Sequence, residues 1–353
     1  MKIVKLKKSN LHPFLQAASQ DAELWAPVRQ KNNKHSFQPI KDFATIDLNY
    51  TRTILPPRKL FLPPQFNMFQ ASLQGYKEDF SHVSPKVIFG VHPCDLHGLL
   101  IFDEFHRQNF EDPYYLKAKE NTLIFGHSCW PDDKCFCQST NTHLVEEGYD
   151  LFFSELDDYY LVWIGSSRGD DCLRLAPELF DESLSEEDIK GYIAWQEKRN
   201  QAFKLKINFF AMPDLMELRY HHSLWEKLGQ ACLSCGSCSL VCPTCNCYNV
   251  QDQPLLSQDA SNIQRCWDSC MLENYSAVAG GENFREKRSQ RLKLWYTHKL
   301  QAYISKYGKP ACVGCGRCIA TCPVDINVFT VSRALEGEEV EAFWNRLAKE
   351  VNP

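Results

Sequence analysis

The sequence predicts a chain in two parts: an α/β or α+β domain over 1–204, then a helical, cysteine-rich domain over 205–353. Three observations carry this. Short β-forming runs alternate with helical spacing in the first part. Helical periodicity with little strand signal fills the second. The 17 cysteines are also uneven: twelve fall between Cys232 and Cys322, while the first part holds Cys94, Cys129, Cys135, Cys137 and the isolated Cys172. A length of 353 residues suits two domains, and a chain of that size buries enough surface to fold without disulfides.

Lys86–Val91 and 122–126 are apolar runs rich in β-formers, read as buried strands. Between them Leu99, Ile101, Phe102 and Phe105 recur at roughly helical spacing. Leu151-Phe152-Phe153 and 160–164 flank Asp157-Asp158, a hairpin pattern. Pro56-Pro57 and Pro63-Pro64 bracket Leu60-Phe61-Leu62, which predicts an extended segment. In the next stretch, Ser185 to Asp188 reads as a capping box opening a helix to about Phe203. Asp214 to Gly229 has one helical period, with Gly229 as its stop. Arg285 to Tyr307 is another helix, with Gly308 as its C′ residue.

The cysteine spacing is the strongest signal. Cys232, Cys235, Cys238 and Cys242-Pro243 form C-x2-C-x2-C-x3-C-P, and Cys312, Cys315, Cys318 and Cys322-Pro323 repeat it. In this pattern three thiolates grip one [4Fe-4S] cluster and the fourth cysteine reaches the other. The expected sets are Cys232, Cys235, Cys238 and Cys322 for cluster one, and Cys312, Cys315, Cys318 and Cys242 for cluster two. Gly236, Gly314 and Gly316 let the backbone wrap a cube. Zinc would want two separated C-x2-C pairs and has no use for the extra cysteines. The stretch 243–311 between the motifs reads as helical, so the second part is expected to be an α-helical ferredoxin-like 2[4Fe-4S] domain. Arg285, Lys287, Arg288, Arg291 and Lys293 offset cluster charge, contact an acidic partner, or simply form a solvated helix face.

The chain resembles the β subunit of soluble sulfhydrogenase-type [NiFe] hydrogenases and the iron–sulfur electron-transfer subunit of anaerobic sulfite reductase. The resemblance runs along nearly the whole chain. It is carried by 49–57, 89–95, Cys135-Phe-Cys137, Cys242-Pro-Thr-Cys-Asn-Cys247, Trp267-Asp-Ser-Cys270, 278–285 and the second cysteine motif. It implies an iron–sulfur subunit that relays single electrons and is not itself catalytic. Its partners would be a diaphorase subunit carrying FAD and NAD(P), and [NiFe] hydrogenase subunits. Trp267-Asp268-Ser269-Cys270 leans toward the hydrogenase branch. The alternatives are a sulfite reductase catalytic subunit or a heterodisulfide-reductase-like complex.

Cys94, Cys129, Cys135 and Cys137 follow strand ends and the loop after them. The reading adopted is a third [4Fe-4S] site; buried structural thiols and a zinc site stay open. Cys245, Cys247 and Cys270 are packing thiols or ligands of something unassigned, Cys266 receives no role, and Cys172 is a lone buried thiol. His92, His97, His127, His221 and His222 share no metal spacing and read as structural. Asp95 could orient a loop or a cluster.

There is no G-x-G-x-x-G, Walker A, G-x-S-x-G or H-E-x-x-H pattern, so no nucleotide or hydrolytic site is expected on this chain. A net charge of −5 argues against a nucleic-acid partner. The N-terminus lacks a signal-peptide pattern and no apolar run is long enough to span a membrane, so a cytoplasmic protein with reduced, metal-binding cysteines is expected. Two other classes compete: a redox-silent structural or regulatory metal protein, and a self-contained enzyme with flavin in the first domain.

Overall fold

The computed structural model describes residues 2–108, 110–256, 259–342 and 344. Its strands are β1 (Ile3–Lys7), β2 (Glu23–Arg29), β3 (His35–Pro39), β4 (Gln65–Ser72), β5 (Gly75–Glu78), β6 (Lys86–Val91), β7 (Thr122–His127), β8 (Leu151–Glu155), β9 (Tyr159–Ile164), β10 (Phe180–Asp181), β11 (Tyr248–Leu255) and β12 (Ala260–Trp267). Eight form one mixed sheet in the order β10-β1-β9-β8-β7-β6-β2-β3. Neighbours from β2 through β6 and β7 to β8 run parallel. All of β6 is buried, as expected for a parallel strand covered on both faces. One face packs on the helix Leu11–Ala18 through Phe14, Leu15, Phe89 and Phe153. The other packs on the helices Pro93–Arg107 and Pro113–Glu120 through Leu96, Leu99, Phe102 and Tyr115.

The β8–β9 hairpin and the capped helix Glu186–Gln201 stand as read from the sequence. Three expectations are corrected. The proline-bracketed segment contains a 3-10 turn, Pro57–Leu60, because proline at the first helical position already has the required φ and loses no needed N–H. Asp214 to Gly229 is two helices, Met212–Leu218 and Leu224–Ala231. Gly229 lies inside the second, where Ser289 packs so closely that an added Cβ would sit 2.6 Å from the serine Cβ. The third correction concerns 243–311. It holds the hairpin β11–β12, and β12 pairs with β4 to make a second sheet, β11-β12-β4-β5. Both faces of β11 are largely exposed and polar, so it carries no alternating pattern to read.

The predicted helix Arg285–Tyr307 is helical from Arg288 to Thr297, continues as a π turn over His298–Ala302, and ends as Tyr303–Tyr307. The π turn buries Lys299. Helices of the second part share a core built around Trp225, Leu228, Trp295, Leu300 and Val331. The hairpin's pairing with β4 and the Arg265–Asp112 ion pair, 2.5 Å, join residues on either side of position 205.

Candidate metal centres

Each cysteine motif is a loop closed by a short helix, Ser237–Leu240 or Arg317–Thr321. The caps, Gly236 and Gly316, have φ of 75° and 73°, a region that favours glycine. Amides turn toward sulfur: Ser234 N–H donates to Cys232 Sγ at 3.4 Å, and Ile326 N–H to Cys322 Sγ at 3.3 Å.

The thiols fall into groups. Burial, then charge on Cys232, Cys322 and Cys235, pushes Cys238 up to about 12. Cys232, Cys235, Cys238 and Cys322, with Cys318 beside them, border one cavity of about 40 Å³. Burial, then Cys312, Cys315 and Cys242, raises Cys318 well above an ordinary thiol. Cys238 also lies near enough to act on Cys318, so the two groups are neighbours.

The N-terminal four also converge. Cys94, Cys135 and Cys137 share a buried cluster with Cys315, and Cys129 acts on all three. Cys94 lies in the first turn of the helix after β6, and Cys129 follows the end of β7. Burial raises Cys129 to about 11 and Cys135 to about 12. This loop docks directly on the second motif: Phe136 N–H donates to Gly314 O at 2.9 Å. A Cβ on Gly314, whose φ is 61°, would lie 2.4 Å from Cys137 N.

Cations ring these thiols, with Arg58, Arg291, Lys299 and Arg317 buried. Arg317, inside the second motif, makes a bidentate pair with Asp95 at 2.6 and 2.7 Å and donates to Thr53 O. Asp95 thus ties its loop to the motif. Arg52 grips Asp132 through two nitrogens and donates to Cys135 Sγ at 3.3 Å and Cys315 O at 3.0 Å. Arg58 stacks on Trp267 at 3.6 Å and donates to Cys242 O at 3.0 Å. Lys299 Nζ donates to Thr244 Oγ1 and Ala311 O. From the basic stretch, Arg288 donates to Cys232 O and Arg291 to Ser234 Oγ, bracing the first loop. The sequence flagged that stretch but gave no sign of Arg58 or Lys299, whose partners lie far along the chain.

Of the unassigned cysteines, Cys245 contacts Cys242 and Cys247 contacts Cys270. The Cys270 hydrogen bond outweighs burial and holds Cys247 down at about 6. Cys266 on β12 faces Gln251, and Cys172 sits in the core of the large sheet. His92 is buried and stacked on Tyr50 at 4.0 Å. Among the described residues no three donors meet at the spacing of a single bare ion, and no helix is long and apolar enough to cross a membrane.

The donor chemistry fits iron–sulfur clusters. Each motif supplies thiols, amides aimed at sulfur and nearby buried cations, which suit an anionic metal–thiolate core.

A family described as a 4Fe-4S dicluster domain matches residues 231–326. The chain is 37% identical over 333 residues to the Sulfhydrogenase 2 subunit beta of Pyrococcus furiosus, covering 92% of this chain and 96% of that protein. No solved structure matches.

Proposed function

The chain belongs to the sulfhydrogenase beta-subunit family, and we propose on that premise that it is the iron–sulfur electron-transfer subunit of a multi-subunit hydrogenase. It relays single electrons in the cytoplasm between a subunit holding FAD and NAD(P) and a [NiFe] catalytic partner. Cys232, Cys235, Cys238 and Cys322 hold one [4Fe-4S] cluster; Cys312, Cys315, Cys318 and Cys242 hold the second; Cys94, Cys129, Cys135 and Cys137 hold a third. Bound clusters supply one-electron oxidation and reduction.

The protein's part is positioning and electrostatics. Arg52, Arg317 and Lys299 place positive charge where thiolates and inorganic sulfide bring negative charge. The Gly314–Phe136 contact binds the N-terminal loop to the second motif, so the two cages share a wall. One observation carries the reading: the fold gathers the cysteines of both repeated motifs into two adjoining groups.

Hydride donors deliver two electrons and iron–sulfur cubes take one, so flavin on a partner must stand between them. The isolated, anaerobically purified chain should be bleached by a strong one-electron donor but not by NADH or NADPH. Adding the flavoprotein partner should restore bleaching by one of them. Rapid bleaching of the flavin-free chain by either nucleotide refutes the pure-relay reading.

A further inference from the structure

Cys245, Cys247 and Cys270 belong to none of the three sets above, yet the fold gathers them. Cys247 immediately precedes β11, and Cys270 follows β12 by three residues. Pairing of Tyr248 with Trp267, and the 3.0 Å bond from Asp268 N–H to Cys247 O, close the hairpin there. That closure brings the Cys247 and Cys270 thiols into hydrogen-bonding contact. Cys245, Cys247, Cys270 and Lys299 border a cavity of about 30 Å³. The cavity at Cys232, Cys235, Cys238 and Cys322 is about 40 Å³, so the two are similar in size.

Charge supplies an independent argument. Arg58 and Lys299 are each 4% exposed. The charges acting on Arg58 are Cys245, Cys242 and Cys247; those on Lys299 are Cys242, Cys245 and Cys312. No carboxylate pairs with either among the described residues. An uncompensated buried cation is costly. Cys242 and Cys312 supply thiolates of the second cluster beside Lys299. Arg58 has Cys245 and Cys247 beside it as well as Cys242, and metal-bound thiolates there would answer its charge.

We propose that Cys245, Cys247 and Cys270 hold a further iron–sulfur cluster beside Arg58 and Lys299. Three thiolates suit a three-iron core, or a cube whose remaining iron takes a non-cysteine ligand. The Tyr275 hydroxyl, hydrogen-bonded to Cys247, is the candidate protein oxygen for that position. Loading requires the Cys247 and Cys270 thiols to part from contact, since a multi-iron core separates its ligands. The site exchanges one electron at a time, and no bond within the chain is made or broken. This rests on the iron–sulfur reading of the two motifs, so the test reads those motifs separately.

The full-length chain, purified or reconstituted anaerobically, is measured by native mass spectrometry, iron and acid-labile sulfide analysis, and EPR of the reduced protein. Cys247→Ser and Cys270→Ser should each lose about three or four irons and one mass increment, with the EPR signals of the two motif clusters kept. Cys266→Ser and Cys172→Ser should lose none. Where a serine variant does not fold, Arg58→Gln serves instead: it leaves every thiol in place and should speed iron loss from this site under chelation, with any loss at the second cluster, whose Cys242 carbonyl Arg58 also holds, read separately by EPR. Parental iron in both serine variants overturns the proposal. So does a parent mass fully explained by clusters on the other cysteines, or a Cys247–Cys270 disulfide in the fully loaded chain. A parent with no iron at all would overturn the motif reading as well, which marks that failure as a different one.

Discussion

Asp95→Asn tests whether the buried cation at the second motif needs its carboxylate. The Arg317 and Asp95 side chains are 2% and 1% exposed, and two nitrogens meet two oxygens at 2.6 and 2.7 Å. Asparagine keeps the shape but removes the charge. It leaves a guanidinium buried, with the Thr53 oxygens among its remaining hydrogen-bond acceptors. Breaking a buried pair on one side costs about 3–5 kcal/mol. At roughly 2–4 °C per kcal/mol, the thermal midpoint should fall by about 6–20 °C. Removing both charges, Asp95→Leu with Arg317→Met, should recover much of that loss, because no orphan charge remains. The assay is anaerobic thermal unfolding of reconstituted protein, followed by circular dichroism and cluster absorbance together. An Asp95→Asn midpoint within about 1 °C of the parent would refute the reasoning.

Three further outcomes follow from the same geometry. Gly314→Ala should release the 135–137 loop, since its Cβ would meet Cys137 N at 2.4 Å in a left-handed backbone; iron analysis should show losses at both adjoining cages. Asp112→Asn should loosen the β11–β12 hairpin. Burial pushes Asp112 up, but hydrogen bonding to His106 and the Arg265 charge outweigh it and hold its carboxyl well below the usual range. That depressed group stabilises the fold fully above its unfolded value of about 4, and the contribution fades as pH falls below about 4. Hydrogen exchange of the hairpin amides should therefore differ between parent and variant at pH 7 and converge in acid; a gap that widens in acid contradicts the sign. Arg291→Ala should unsettle the first motif loop, because its guanidinium holds Ser234 Oγ and the Arg285 and Glu286 carbonyls; faster chelation of iron from Cys232, Cys235, Cys238 and Cys322 is the readout.

What the sequence made legible was local. The motifs declare themselves because thiol spacing of two or three residues is itself the chemistry. β6 and the β8–β9 hairpin were readable because their apolar runs are buried. The β11–β12 hairpin was not, since it is polar on both faces and is held by its ladder to β4 and by Arg265. Nor could spacing place Arg58 or Lys299, because a buried cation's partners are set by tertiary contact. Cys247 and Cys270 looked like leftovers for the same reason: only the closing pair of the unseen hairpin brings them together.

The central claim is that the repeated motifs hold two four-iron clusters. Iron, zinc and acid-labile sulfide are counted per full-length chain after anaerobic purification, for the parent and for Cys315→Ser. At least about eight irons with matching sulfide, falling by about four in Cys315→Ser, is the predicted result. A parent chain with zinc in place of iron and no sulfide, or a Cys315→Ser chain with undiminished iron and unchanged reduced EPR, would contradict it.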